Sequence, residues 1–284
     1  MTAPAVVPRL SILAAGLIGL TCLAAAAQNA APPAPTVKPE MTETCPGLVA
    51  SDRPKAVLAA YRPSALAPNE ARITYVGHAT FLIESPKLVR IATDYNDYVR
   101  PPILPDIVTM NHAHSTHYTD HPDADIKFVL RGWRDDGMPA NHDITYADVH
   151  VRSVSTNIRN WSGGTERNGN SIFIFEVGSL CIAHLGHLHH TLTQQQLNDI
   201  GHVDVLMVPV DGSVTLDTEG MVEVIQAMKA PLMIPMHYFS SFTLHRFLER
   251  VSQQYDVEFA ETPSFVVSKA MLPSKGKFLV LPGH

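Results

Sequence analysis

The chain has 284 residues, of which 45% are hydrophobic and 17% are charged, so it is neither a disordered protein nor a polytopic membrane protein. Its 21 Lys and Arg residues against 27 Asp and Glu give a formal net charge of −6 at pH 7. Because a protein that tracks phosphates needs a basic face, this balance excludes nucleic acid as an expected partner. The chain is unusually rich in histidine, with 15 residues. Histidine is the commonest protein ligand of metal ions, so this excess points to a metal site.

The first 27 residues have the pattern of a secretory signal peptide. One arginine within residues 1–9 precedes an almost continuously apolar run at 10–24, and alanines at 25–27 offer a cleavage site. The alternative is an uncleaved anchor, because residues 10–27 could nearly span a bilayer. We expect cleavage, no stable membrane insertion afterwards, and a periplasmic or secreted protein.

The exported chain is predicted to contain a linker and one domain. Residues 28–44 are rich in proline and alanine and lack apolar periodicity, which predicts an extended linker. A single folded domain is expected over residues 45–284. Cys45 and Cys181 could form a disulfide in an oxidising compartment, but Cys181 lies in an apolar run, and a buried thiol is the simpler interpretation.

The first half of the domain is predicted to be rich in β-structure. Residues 72–84 and 88–93 are β-branched and aromatic, and they are predicted as a hairpin that turns at residues 85–87. Further short strands are predicted at 106–110, 127–130 and 149–154.

The second half alternates strands and helices, which predicts sheets stacked between helices. Residues 171–177 and 180–184 are predicted as a second hairpin. Thr193 and Gln196 form a capping-box pattern, which predicts a helix at 193–200. The remaining predicted elements are a strand at 203–210, a helix at 218–229, a strand at 231–235, a helix at 241–255, and a closing hairpin of 265–270 with 277–281.

Eight of the 15 histidines form two clusters, each directly after a predicted strand. Residues i and i+2 of an extended segment point the same way, so His112 and His114 can present two imidazoles to one cation, an arrangement that suits zinc. His237 ends a third apolar strand and is predicted as a ligand in the company of the clusters. The clustered histidines are His112, His114, His117, His121, His184, His187, His189 and His190.

Several segments between Arg72 and Tyr238 occur in an order known from one superfamily. They are, in chain order, residues 75–84, Asp94, 111–117, 168–171, 184–187 and 234–238. Together they resemble the metallo-β-lactamase superfamily, in the branch that includes L-ascorbate-6-phosphate lactonase and N-acyl-phosphatidylethanolamine phospholipase D. The resemblance implies an α/β fold, a four-layer αβ/βα sandwich, with a metal site at one edge of the sheets.

Three positions depart from the pattern of that superfamily. Thr116 stands where the motif His-x-His-x-Asp-His has its Asp, and His187 stands where the metal-bridging Asp belongs. Asn157 occupies the place of the third-motif histidine. Without a bridging carboxylate, two divalent ions about 3.5 to 4 Å apart would repel strongly, so one ion is predicted rather than two.

The predicted ligands are all histidines. They are His112, His114, His187 and His237 in some combination, with His117 in or next to the first coordination shell. Zinc is favoured, although imidazole also suits iron, manganese and copper.

The neutral ligand set favours a bound water that ionises near pH 7 and acts as the nucleophile. Asp120 is predicted as the proton acceptor, with Asp211 and Asp94 as alternatives that could also hold an imidazole N–H. His78 resembles a residue that lines the site, but a structural hydrogen bond is an equal interpretation. His189 is either solvated or in contact with substrate.

The predicted function is an exported metal-dependent hydrolase that attacks an ester, lactone or phosphodiester in a small-molecule substrate with metal-bound hydroxide. Thr116 and His187 stand in place of the two metal-binding carboxylates of the superfamily pattern, and this loss leaves two alternatives open. One is a metal-binding or sensor protein that kept the fold and lost turnover, and the other is a redox enzyme with a single transition metal. No feature of the sequence determines the oligomeric state.

Overall fold

The computed structural model describes residues 65–160 and 162–283. The predicted signal peptide, the predicted linker and the predicted start of the domain at Cys45 lie outside the described residues. Within the described ranges, no helix combines the length and the apolar character needed to cross a bilayer.

The elements follow one another in two halves, as the sequence predicts. The first strands are β1 Ala71–Gly77, β2 Thr80–Glu84, β3 Arg90–Ala92, β4 Ile107–Met110, β5 Phe128–Arg131, β6 Asp143–Tyr146, β7 Val149–Arg159, β8 Thr165–Val177 and β9 Leu180–His184. They are followed by α1 Gln194–Ile200, β10 Val205–Pro209, α2 Thr218–Met228, β11 Leu232–Met236, α3 Ser241–Val251, β12 Asp256–Phe259, β13 Ser264–Val267, a 3-10 helix Lys269–Met271 and β14 Lys277–Val280.

The strands form two mixed sheets. The six-stranded sheet has the order β13-β1-β2-β3-β4-β5, and the eight-stranded sheet has the order β12-β14-β11-β10-β9-β8-β7-β6. Strands β9, β10 and β11 are parallel neighbours, joined by α1 and α2, because parallel strands need a crossover connection. Their carboxyl ends therefore open at the same edge of the sheet.

Two apolar layers hold the sheets and helices together. Phe81 of the six-stranded sheet and Phe173 of the eight-stranded sheet are fully buried in one core cluster. A second cluster joins the other face of the eight-stranded sheet to the three helices through Ile200, Met221 and Phe247. The predicted α/β sandwich is thus confirmed. Among the described residues, the helices α1, α2 and α3 all pack on the eight-stranded sheet.

The predicted strand at 72–84 is wrong in one respect, because it is two antiparallel strands. β1 and β2 pair Arg72 with Glu84 and Tyr75 with Phe81. The reversal occurs at Gly77, with φ 144°, and at His78, with φ 53°. A left-handed turn of this kind reverses the chain and places His78 at the end of β1.

The predicted C-terminal hairpin is also wrong. β13 pairs with β1 in the six-stranded sheet, with Ala71 opposite Val267, whereas β14 runs parallel to β11 in the other sheet, with Leu232 opposite Lys277. The two segments therefore tie both sheets together instead of pairing with each other. The predicted first turn of α1 is confirmed, since Thr193 caps the helix in a complete capping box.

Candidate metal centre

Five histidines from four connections converge at one edge of the two sheets. The ring centroids of His187 and His237 lie 4.7 Å apart, and those of His117 and His187 lie 4.8 Å apart. The ring centroids of His114 and His187 lie 4.5 Å apart, and those of His78 and His237 lie 4.3 Å apart. Each ring follows the end of a strand, namely β1 for His78, β4 for His114 and His117, β9 for His187, and β11 for His237. We call these five residues the histidine cluster.

The nitrogen spacings of the histidine cluster fit a bound metal ion. Nε2 of His117 lies 3.2 Å from Nε2 of His237, and Nε2 of His114 lies 2.9 Å from Nε2 of His187. The ligand nitrogens of His78, His117 and His237 all lie within 4.8 Å of one another. Nitrogens bound at 2.0 to 2.1 Å in a tetrahedron are about 3.3 Å apart, so the donors of His78, His117 and His237 can share one ion of the size of zinc.

Two buried carboxylates form hydrogen bonds with the Nδ1 atoms of two histidines in the cluster, on the side away from the centre. Asp94 Oδ2 lies 2.6 Å from His117 Nδ1, and Asp211 Oδ2 lies 3.0 Å from His237 Nδ1. A carboxylate on Nδ1 keeps the proton on that nitrogen, so the lone pair of Nε2 faces the centre. His187 differs, because its Nδ1 forms a hydrogen bond with Nε2 of His189.

The environments of the two carboxylates shift their pKa values in opposite directions. Burial raises the pKa of Asp94 to about 6, opposed by His184 and by the Asn111 amide, which donates to Asp94 Oδ1 at 2.9 Å. Burial alone would also raise the pKa of Asp211, but hydrogen bonds from His237, Thr215 and the loop backbone hold it below its usual value. Asp211 is therefore ionised at neutral pH.

Four imidazoles at or beside the centre have lowered pKa values and are neutral at pH 7. Burial, together with the neighbouring His237, lowers the pKa of His117 and of His187 well below the usual value. The same causes lower the pKa of His114 to about 4. Burial and the charge of Arg159 lower the pKa of His189 to about 3. A metal ion binds only the neutral form of histidine. These four imidazoles are therefore in the form that can bind a cation at physiological pH.

The backbone around the centre adopts dihedral angles that side chains usually avoid. φ is 53° at His78, 42° at Asp94 and 55° at His237. Such left-handed positions cost roughly 1 kcal/mol or more for residues other than glycine, and they concentrate at functional sites. Gly186, with φ 60°, is required by space as well, because a Cβ there would lie 2.3 Å from Asn170 Oδ1.

The structure brings together most of the residues that the sequence predicts for the site, but not His112. Its Nδ1 lies 2.8 Å from Glu166 Oε1, and its ring stacks on Trp133 at a centroid distance of 5.0 Å. Among the described histidines, no ring contact joins His112 to the histidine cluster. The four other predicted ligands, His114, His117, His187 and His237, are all in the cluster.

Asp120 and Asn157 also lie apart from the cluster. Asp120 is exposed, and within the described chain no hydrogen bond or ion pair joins it to these histidines. Asn157 Oδ1 accepts a hydrogen bond from the backbone N–H of Asn168 at 3.1 Å. Thr116, which the resemblance predicts at the position of the motif's Asp, contacts His78 Nε2 through its hydroxyl at 3.2 Å.

Three polar residues beside the site were not assigned a role from the sequence. His184 is buried and structural, because its Nε2 donates to the carbonyl of Ala79 at 2.8 Å and its Nδ1 accepts from the N–H of Gly186. Asn111 holds Asp94, and Asn170 accepts the backbone N–H of His187 at 2.8 Å. The position of Asn111 and His184 at strand ends within the histidine motifs was the available signal, whereas Asn170 lies inside β8.

Known proteins similar to this chain include proteins named as metal-dependent hydrolases. A metal-dependent hydrolase of Thermoplasma acidophilum is 26% identical over 195 residues, which cover 62% of this chain and 86% of the relative. A protein of Pyrococcus furiosus from the same group is 25% identical over 72% of this chain and 98% of its own length. A solved structure from Thermotoga maritima, named for the zinc-dependent hydrolases of the metallo-beta-lactamase superfamily, has a TM-score of 0.55 and 28% identity, and covers 75% of this chain and 100% of that one.

The family itself is established by a match over most of the described domain. Residues 72–237 match the beta-lactamase superfamily domain, a range that begins in β1 and ends at the last histidine of the cluster. The narrower resemblance to the lactonase and phospholipase D branch stays a prediction. The chain belongs to the beta-lactamase superfamily and is an enzyme of its metal-dependent hydrolase kind.

Proposed function

We propose that this enzyme is an exported hydrolase that uses one divalent ion, zinc in the first instance, to cleave an ester, lactone or phosphodiester bond in a small molecule. The observation that carries the proposal is the 3.2 Å separation of Nε2 of His117 and Nε2 of His237. Each of these rings has a buried carboxylate on its other nitrogen. This arrangement of outer partners is typical of histidines that bind zinc.

The ligand set of the proposed ion contains His117 and His237, whose nitrogens lie 3.2 Å apart and form a close group with that of His78. The remaining positions are filled from His78, His114 and His187. Since His187 replaces a bridging carboxylate by a neutral imidazole, nothing at the centre offsets the charge of a second ion. This argument supports a single ion.

When bound, a divalent ion supplies Lewis-acid activation of water and of the scissile bond. The chain's own part is to fix the ring nitrogens through Asp94 and Asp211 and to keep the surrounding imidazoles neutral. No carboxylate among the described residues contacts the inner nitrogens of the cluster, so a bound divalent ion would give the centre a positive potential. Such a potential stabilises negative charge that develops on a carbonyl or phosphoryl oxygen in the transition state.

Export is supported by the charged, apolar and small-residue pattern of residues 1–27. The test is to express the full-length chain in a bacterial host and to sequence the N-terminus of the protein from the periplasmic fraction. A mature N-terminus near residue 28 is the expected result. Full-length protein that stays in the cytoplasm would contradict export.

The hydrolase proposal is tested by metal analysis and a substrate panel. The purified protein is expected to contain one ion per chain and to cleave at least one of a set of chromogenic esters, lactones and phosphodiesters. His117→Ala and His237→Ala should lose both the metal and the turnover, while the exposed His245→Ala keeps both. Absence of metal would overturn the proposal, and bound metal without turnover of any substrate would favour the sensor alternative instead.

A further inference from the structure

A pocket of about 320 Å³ opens beside the histidine cluster. This volume lies at the lower end of the range of small-molecule sites, roughly 300 to 1,000 Å³. His114 lines the pocket and also contacts His187 in the cluster, so a small ligand in the pocket reaches the metal centre. The other walls are formed by Ala113, Arg159, Asn160, Gly163, His189, Ser213 and Val214.

Arg159 is held in the pocket wall by neutral acceptors. Its Nε contacts His189 Nδ1 at 3.3 Å, and its Nη2 donates to the carbonyl oxygens of Thr215 at 2.5 Å and Val214 at 3.2 Å. These bonds fix the plane of the guanidinium but leave its full positive charge. The positioning therefore belongs to the fold and does not depend on a ligand.

No carboxylate neutralises Arg159 within the described residues. Arg152 on the same strand is ion-paired with Glu176 at 3.1 Å, whereas the described ion pairs do not include Arg159. The pocket lining likewise contains no Asp or Glu. An arginine fixed in this way beside a metal centre attracts an anion, because a guanidinium binds carboxylate and phosphate oxygens through charge-assisted hydrogen bonds.

Two donors in the pocket wall remain available for such an anion. Nη1 of Arg159 donates to none of the described residues. Oδ1 of Asn160 accepts the backbone N–H groups of Ser162 at 3.2 Å and Gly164 at 2.7 Å, which fixes the amide, while its Nδ2 makes no hydrogen bond within the described chain. The two groups lie next to each other in sequence and line the same pocket.

We infer that this pocket binds an oxyanion of the substrate, a carboxylate or phosphate group, on Arg159 and Asn160 while the bond to be cleaved lies at the histidine cluster. The inference rests on the proposed hydrolase function and narrows its substrate class to small anionic esters or lactones. It also accounts for a positively charged pocket in a chain whose net charge is −6.

The kinetic test uses the full-length, metal-loaded protein and a matched pair of esters, 4-nitrophenyl butyrate and the 4-nitrophenyl monoester of glutarate. The wild type is expected to prefer the anionic ester in kcat/KM by about tenfold or more, the size of a charge-assisted hydrogen bond. Arg159→Gln should bring this ratio close to one, mainly through KM, and Arg159→Lys should keep part of it. The exposed Arg134→Gln is the control.

A binding measurement separates the pocket from the chemistry. Calorimetric titration with glutarate and with inorganic phosphate is expected to show binding to the wild type that weakens about tenfold or more in Arg159→Gln and also weakens in Asn160→Ala. The stronger of the two probes identifies the kind of oxyanion. If no ester, lactone or phosphodiester of the panel is cleaved but this binding pattern is found, the hydrolase proposal fails and the anion pocket stands. Equal binding by wild type and Arg159→Gln, an unchanged ester ratio in that variant, or no binding by the wild type would overturn the inference.

Discussion

Nε2 of His117 and Nε2 of His237 lie 3.2 Å apart at the meeting point of the two sheets, although 120 residues separate them in the chain. His117 follows a strand of the six-stranded sheet, and His237 follows a strand of the eight-stranded sheet. A metal ion bound between them would therefore join the two halves of the sandwich. Metal binding and folding stability are coupled by this geometry.

Removal of the metal is expected to lower the thermal stability as well as the activity. Treatment with a chelator should decrease Tm by several degrees, since a ligand present at 100 times its Kd stabilises the folded state by about 2.7 kcal/mol. Differential scanning calorimetry before and after readdition of zinc measures the effect. A chelated protein with unchanged Tm, or a loaded protein with two ions per chain, would contradict the single-ion centre.

Asp211→Asn is expected to weaken metal binding by about 10- to 100-fold, because the outer partner of His237 would lose its charge. Competition with a chromogenic chelator measures the affinity. Asp120→Asn is the matched control, since Asp120 is exposed and has no contact with the histidine cluster among the described residues. Full metal content with lost turnover in Asp120→Asn would instead identify the proton acceptor that the sequence suggests.

His112→Ala and His117→Ala should behave differently. His112 pairs with Glu166 and stacks on Trp133, so its loss is expected to leave about one ion per chain. His117→Ala removes a nitrogen from the centre and should lose most of the metal. Elemental analysis of both purified variants makes the comparison. Loss of metal in His112→Ala would restore it as a ligand.

His184→Ala is expected to destabilise the fold without affecting the metal. The variant loses two buried hydrogen bonds, to the carbonyl of Ala79 and from the N–H of Gly186, and it leaves a cavity. The free energy of unfolding should fall by about 2 to 4 kcal/mol. Urea denaturation measures this change, and metal content measured at low temperature should stay near that of the wild type. A metal-free but equally stable variant would show that His184 is a ligand.

The stabilising contribution of His150 is expected to depend on pH. His150 bridges Asp143 at 2.8 Å and Glu176 at 3.1 Å, and the hydrogen bond to Asp143 is the main cause of its raised pKa. A group whose pKa is raised on folding stabilises the protein fully below its unfolded pKa, about 6.5, and loses this contribution as pH rises through the folded value.

His150→Gln should therefore lower Tm at about pH 5.5 and leave it unchanged near pH 8.5. Because these groups are partly exposed, the difference is expected to stay below about 1 kcal/mol. His245→Gln, in an exposed position on α3, is the control variant. An equal loss of stability at both pH values would show that the ion pair does not contribute.

Local sequence patterns predicted the elements of the fold better than their pairing. The capping box at Thr193 is a signal within four residues, and α1 begins where it predicts. The partners of β13 and β14 could not be read in this way, because the two neighbouring segments join different sheets through contacts with strands far away in the chain. Likewise, the turn between β1 and β2 depends on the positive φ angles of Gly77 and His78, which lie inside a largely apolar segment.

In the site, too, features set by local sequence were predicted, whereas contacts between distant residues were not. Strand exits pointed to His117, in a cluster, and to His237, which stands alone in the sequence, since a strand end is a local feature. The position of His112 depends on Glu166, 54 residues away, and on a loop backbone that is not extended, so the spacing rule for strands did not apply. The pairing of Asp94 with His117 and of Asp211 with His237 spans 23 and 26 residues and was expected only as one of several alternatives.

The left-handed backbone at His78 and His237 places backbone strain at the candidate metal centre itself. Glycine adopts these dihedral angles without steric cost, so His78→Gly and His237→Gly would remove an imidazole and relieve roughly 1 kcal/mol of strain at the same time. At His237, which is fully buried, the lost packing of the ring would outweigh this gain, because a large-to-small change in the core leaves a cavity. The strained backbone at both positions is therefore part of what places two imidazoles at the candidate metal centre.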